Sequence, residues 1–127
     1  MNVLLITGGS SGIGKATARL FAEKGWHVYE LSRHGEDSDG IIHLTCDVTD
    51  AVSCHDAVEQ VLNIEDHIDT VISNAGFGIS GPIEFTASED VRHLFDVNFF
   101  GALNICQAVL PQLRKQKASA SLSLVFW

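Results

Sequence analysis

TGGSSGIG, residues Thr7–Gly14, begins seven residues into the chain and decides how the rest is read. Ahead of it lies NVLLIT (Asn2–Thr7), an apolar run that ends at glycines, which marks a strand buried on both faces. Behind it, IGKATARLFAEKG (Ile13–Gly25) reads as a helix. Ile13, Ala16, Thr17, Leu20 and Phe21 recur on one face, and Gly25 stops the helix at its C-terminus. The loop between must turn sharply. Gly8, Gly12 and Gly14 permit that turn and let backbone N–H groups approach an anion with no Cβ in the way. The helix start adds unpaired N–H donors and a partial positive charge. Ser10 and Ser11 add hydroxyl donors, and Ile13 opens the helix.

Further along, WHVYELS (Trp26–Ser32), IIHLTCDV (Ile41–Val48) and TVISNAG (Thr70–Gly76) read as three more strands. HGEDSDG (His34–Gly40) is a polar, turn-rich connection. Asp50 can cap the helix AVSCHDAVEQVLN. A long helical pattern runs from about Ser88 to Lys117, bent or broken near Pro111. This order predicts an α/β fold, a doubly wound Rossmann-type parallel sheet. Right-handed crossovers give the strand order three-two-one-four, with a crevice at the carboxyl ends of strands one and four. Both glycine-containing stretches, Gly8–Gly14 and Asn74-Ala75-Gly76, fall on that crevice.

Composition narrows the function classes. The chain has 127 residues, 46% hydrophobic and 19% charged, room for one domain with a modest core. A net charge of -8 leaves no basic stripe for nucleic acid. No uninterrupted apolar run reaches the roughly 20 residues of a membrane span, so no membrane partner is expected. Cys46, Cys54 and Cys106 have no CxxC spacing and read as reduced, packed thiols of a cytoplasmic protein. The six histidines show no HExxH spacing, so no metal is expected.

The glycines are spaced GxxxGxG rather than GxGxxG, and a tight turn with no ligand is the plainer alternative. Four stretches together point further: Thr7-Gly8-(x)3-Gly12-x-Gly14, Asp47-Val48 at the end of strand three, Ser73-Asn74-Ala75-Gly76 at the end of strand four, and Asn98 within DVNFFG. In that order and spacing the chain, from residue 1 to about Gln116, resembles the classical short-chain dehydrogenase/reductase family. The resemblance implies a dinucleotide cofactor and hydride transfer to or from a small carbonyl or alcohol substrate. It assigns Asp47 and the backbone at Val48 to the adenine, and Asn74, Ala75 and Gly76 to the cofactor's flank. Asn98 would bend its helix and hold a water in a proton relay. Ser73 stands where the family has a first Asn.

Read without the family, DVTD is equally a turn and helix start, and Asn98, on the apolar face of its helix by spacing, reads first as a buried amide with structural partners. At the end of strand two stand Ser32, Arg33 and His34, with no carboxylate to repel a 2′-phosphate. A guanidinium pairs with phosphate bidentately, which favours NADP(H) over NAD(H), although Arg33 also suits a solvated loop. Glu30, two residues earlier, belongs inside the strand.

The family's catalytic Ser and Tyr-x-x-x-Lys find no counterpart. Tyr29 is the one tyrosine, it lies inside strand two, and Arg33 stands four residues on. Members of the family are nearly twice as long, so we expect a sheet cut off after about four or five strands. The expectation is an incomplete domain over 1–117 and an atypical tail over 118–127, read as a truncated or shifted reading frame. Such a chain would be a non-catalytic binding or dimerisation module, an alternative to the oxidoreductase reading. Strand four would become nearly an edge. Phe99, Phe100, Leu103 and Ile105 would face missing neighbours, which favours a homo-oligomer through the 88–117 helix.

Overall fold

The computed structural model describes residues 1–116 and, as backbone, 121–124. Five parallel strands form one sheet in the order β3-β2-β1-β4-β5: β1 (Val3–Thr7), β2 (His27–Ser32), β3 (Ile41–Thr45), β4 (Thr70–Ser73) and β5 (Ser121–Leu124). The expected three-two-one-four order is therefore present. β5 adds a strand beyond β4, so β4 is interior rather than an edge. The rest of the 118–127 tail lies outside the described residues.

β1 is buried along its whole length because both sheet faces are covered. Val3 and Leu5 face one cluster with α2 (Ala51–Glu65) and α4 (Gly101–Gln116), which includes Val58, Val61, Ile105 and Val109. Leu4 and Ile6 face a second cluster with Ala18 of α1 (Gly12–Glu23), Val28 and Ile41. This two-sided burial turns an alternating strand into a continuous apolar run.

The ends of α1 and α2 follow their sequence signals. Gly25 has φ +87°, and the N–H groups of Gly25 and Trp26 donate to Ala22 and Phe21 carbonyls. Phe21 and Trp26 close this end as an edge-to-face pair with centroids 4.8 Å apart. The Asp50 side chain accepts the N–H groups of Val52 and Ser53.

The buried face of α1 differs from the expected one. Gly14 and Ala18 are buried, with Phe21 and Ala22 partly so, whereas Ile13 and Leu20 are 63% and 51% exposed. The cause is the approach of Gly14 to β1. A Cβ there would stand 2.2 Å from the Gly8 carbonyl oxygen, so the glycine must face inward and Ile13 is left outside.

The long helix also departs from expectation. α3 (Ser88–Phe95) passes into a π-type turn, Asp96–Phe100, and then into α4. The irregularity lies around Asn98, while α4 continues through Pro111. Pro111 is exposed, and buried Val109 and Leu113 hold the helix on either side of it. Phe99, Phe100 and Leu103 are exposed as expected, but Ile105 is fully buried in the core. By length and composition alone Ser88–Gln116 is apolar enough to cross a membrane. It holds no long unbroken apolar run because Asn98, Asn104, Gln107 and Gln112 punctuate its uncharged stretch. Its inner face, Ile105, Val109 and Leu113, is part of the core.

Candidate functional site

Two loops meet at the carboxyl ends of β1 and β4, and Thr7 joins them. Its buried Oγ1 accepts the backbone N–H of Asn74 at 2.9 Å and of Ala75 at 3.0 Å. The Asn74 side chain returns a bond to the Gly8 carbonyl at 3.2 Å, and the Gly8 N–H donates to Leu31. Gly8 holds φ +68°, and a Cβ on it would lie 2.9 Å from the Ala75 Cα. The crevice is thus tied shut at its base by groups that only small residues allow so close.

Above this base lies a cleft of about 610 Å3. Gly8, Ser10, Ser11, Gly12, Ile13 and Gly14 form one wall, with Ser32 and Arg33 at the end of β2. Asp47 and Val48 follow β3, and Asn74, Ala75 and Gly76 follow β4. Every residue that the sequence assigns to a cofactor lines this one cleft. Ser11 precedes α1 with no side-chain cap, so its hydroxyl does not occupy the helix's first N–H groups.

Asp47 combines both of its sequence readings. Its Oδ1 accepts the Thr49 N–H at 3.0 Å and the Thr49 hydroxyl at 2.8 Å, a turn that leads into α2. It also faces the cleft. The hydrogen bond from the Thr49 hydroxyl, helped by the Thr49 N–H and the charges of Arg33 and His93, holds its carboxyl below the usual range.

Asn98 is not a cleft residue itself. Its Oδ1 accepts the Phe77 N–H at 3.0 Å and its Nδ2 donates to the Phe77 carbonyl at 2.7 Å. Phe77 lines the cleft, with its ring 5.4 Å from that of His93. The π-type turn presents this amide to the loop after β4; such turns often lie at functional sites.

The carboxylate of Glu30 is buried inside β2, bonded to His43 and accepting the Ser32 hydroxyl at 3.0 Å. Tyr29 points away from the cleft. Its hydroxyl donates to Glu65 at 2.7 Å, and burial together with that carboxylate pushes the phenol upward.

A family model described as short chain dehydrogenase matches residues 2–121. The chain belongs to the short chain dehydrogenase family. A 3-ketodihydrosphingosine reductase from Bacteroides thetaiotaomicron is 43% identical over 116 residues, 91% of this chain and 43% of its own length. The chain therefore spans less than half of that relative. Ligand-free aldohexose dehydrogenase from Thermoplasma acidophilum superposes with a TM-score of 0.89 at 28% identity, over 96% of this chain and 48% of the other. An alcohol dehydrogenase from the archaeon Thermococcus sibiricus, complexed with 5-hydroxy-NADP, gives 0.87 at 26% identity, over 98% and 57%.

Within this short chain dehydrogenase chain, sequence reasoning missed four cleft-shaping residues. Thr7 carried a signal, a hydroxyl at the end of an apolar strand. Gly9 backs onto Glu30, where a Cβ would come within 2.7 Å of the Glu30 Cβ. Asn104 donates to the Val48 carbonyl at 2.8 Å, and Gly101 lies so close to Val48 that a Cβ would reach 2.7 Å from its methyl group. Neither α4 residue could be paired with Val48 without the tertiary fold.

Proposed function

We propose that this chain binds a nicotinamide dinucleotide, NADP(H) in preference to NAD(H), and serves hydride exchange with a carbonyl or alcohol substrate. The observation that carries the reading is the shared cleft at the ends of β1 and β4. The residues fit the group: Gly8 and Gly14 clear the space that side chains would fill, and the start of α1 presents N–H donors to a diphosphate. Asp47 and the Val48 backbone would hold the adenine. Ser32 and Arg33 would hold the ribose and its 2′-phosphate. When bound, the cofactor supplies or accepts a hydride. Asn98, through Phe77, fixes the loop at the reacting end and is a positioning residue.

No residue of this chain offers a phenol to the cleft, because Tyr29 is engaged with Glu65. The roles proposed for the residues named here are binding and orientation. Titration of the pure chain with NADPH and NADH, followed by nicotinamide fluorescence, tests the reading. Saturable binding with NADPH tighter is the expected result, and absence of binding by folded protein sinks it. Addition of a carbonyl panel separates the two readings: steady oxidation of NADPH supports hydride exchange by this chain, and binding without turnover supports the non-catalytic module. A long-chain ketone is the first to try, given the Bacteroides relative's reductase name.

The outer face of the long helix supports self-association. Phe95, Phe99, Phe100 and Leu103 are 53%, 57%, 49% and 41% exposed, four large apolar side chains on one stretch of helix. A second copy would cover it. Light scattering should give a dimer, and Phe99→Lys with Leu103→Lys a monomer. Co-sedimentation with neutral lipid vesicles in place of a dimer would defeat this part.

A further inference from the structure

Cys46 and Cys54 sit across the loop that forms the floor of the cleft. Cys46 follows β3 and Cys54 lies in the first turn of α2, so their separation in the chain spans only Asp47–Ser53. Their sulfurs are 3.9 Å apart, and both residues are buried. A disulfide needs about 2.05 Å, so the two sulfurs have about 2 Å to close. The two thiols differ in setting. Cys46 lines the cleft, whereas Cys54 is fully enclosed, its sulfur 3.7 Å from the Val48 carbonyl oxygen. Contact with the Cys54 thiol holds Cys46 below the usual thiol range, and the same contact with burial raises Cys54. Cys46 borders the cleft and Cys54 stands behind it, so an oxidant in the cleft meets Cys46 first and Cys54 is placed to resolve it.

We propose that Cys46 and Cys54 are a peroxide-oxidisable pair, forming a reversible disulfide beneath the cleft. The Cys46 thiolate attacks one oxygen of hydrogen peroxide, the O–O bond breaks and hydroxide leaves, giving a Cys46 sulfenic acid. The Cys54 sulfur then attacks the Cys46 sulfur, the S–O bond breaks, and the oxygen departs as water with the Cys54 proton. The proton given up by the Cys46 thiol neutralises the hydroxide, so two thiols lose two electrons, peroxide gains them, and the net products are the disulfide and two waters. Because Asp47 and Val48 lie between the cysteines, the bond draws on the wall assigned to the adenine. That coupling to cofactor rests on the binding role proposed above, but the disulfide itself does not.

The test is peroxide treatment of the full chain, with intact mass and thiol alkylation as readouts. The expected product has lost about 2 Da and two alkylatable thiols, and dithiothreitol restores both. Cys106→Ser should leave this unchanged, because the third thiol takes no part. Cys54→Ser should stop at a Cys46 oxyacid with no internal cross-link. Persistence of all thiols, direct conversion to sulfinic acid in the wild type, or a cross-link through Cys106 overturns the proposal. NADPH at about ten times its Kd should slow thiol loss roughly tenfold, the inverse of the unliganded fraction. If NADPH binds by fluorescence yet gives no protection, access through the cleft is wrong. If the disulfide forms and NADPH does not bind at all, the cofactor reading fails and the cysteine pair stands.

Discussion

The Thr7 hydroxyl accepts the backbone N–H of Asn74 at 2.9 Å, joining the glycine-rich loop to the loop after β4. The same oxygen also accepts Ala75, so one side chain satisfies two N–H groups at the base of the cleft. Thr7→Val keeps the shape but leaves both donors without that acceptor, at a cost of about 2 kcal/mol. Urea denaturation should show the loss, and Thr7→Ser should recover most of it. If Val and Ser variants are equally stable, the clamp is not the hydroxyl.

Gly14 and Gly12 should respond differently to alanine. At Gly14 the new methyl meets the Gly8 carbonyl oxygen at 2.2 Å, a backbone atom that cannot rotate away. Overpacking of that kind costs about 3 kcal/mol or more. At Gly12 nothing lies within 4 Å, and the cost is only that of φ +56°, about 1 kcal/mol. Thermal unfolding of the two variants checks the order. The reverse order would place α1 wrongly on β1.

Arg33 is exposed at the cleft rim, so its contribution should show in selectivity rather than stability. Arg33→Ala should weaken NADPH about tenfold, the value of one charge-assisted bond, and leave NADH unchanged. Added salt should narrow the wild-type preference. Equal losses for both dinucleotides would mean that Arg33 does not read the 2′-phosphate.

Glu65 contributes to the acid limb of stability. Burial alone would raise its carboxyl, but hydrogen bonds from Tyr29 and His27 outweigh that and hold it below the usual range. With the folded pKa below the unfolded value of about 4.3, the contribution is present above that pH and lost as pH falls through the folded pKa. The stability gap between wild type and Glu65→Gln should therefore be wider at pH 7 than near pH 3. A gap independent of pH would show that the carboxylate's charge is not used.

The sequence by itself determined the order of the first four strands, the two glycine-bearing loops and most of the residues that line the cleft. These follow from local signals: apolar runs, caps such as Asp50 and Gly25, and crossover handedness. Residues at strand ends reach the same crevice once the order is known. The tertiary structure alone decided which face of α1 is buried, since periodicity fits Ile13 and Gly14 alike and the close approach to Gly8 chooses between them. It also decided that Asn98 grips the Phe77 backbone from a π-type turn, and that Asn104 and Gly101 meet Val48. Contacts between elements depend on how helices rotate and settle on the sheet. That is fixed by the tightest pair of atoms in the packed core, which no single segment of sequence contains.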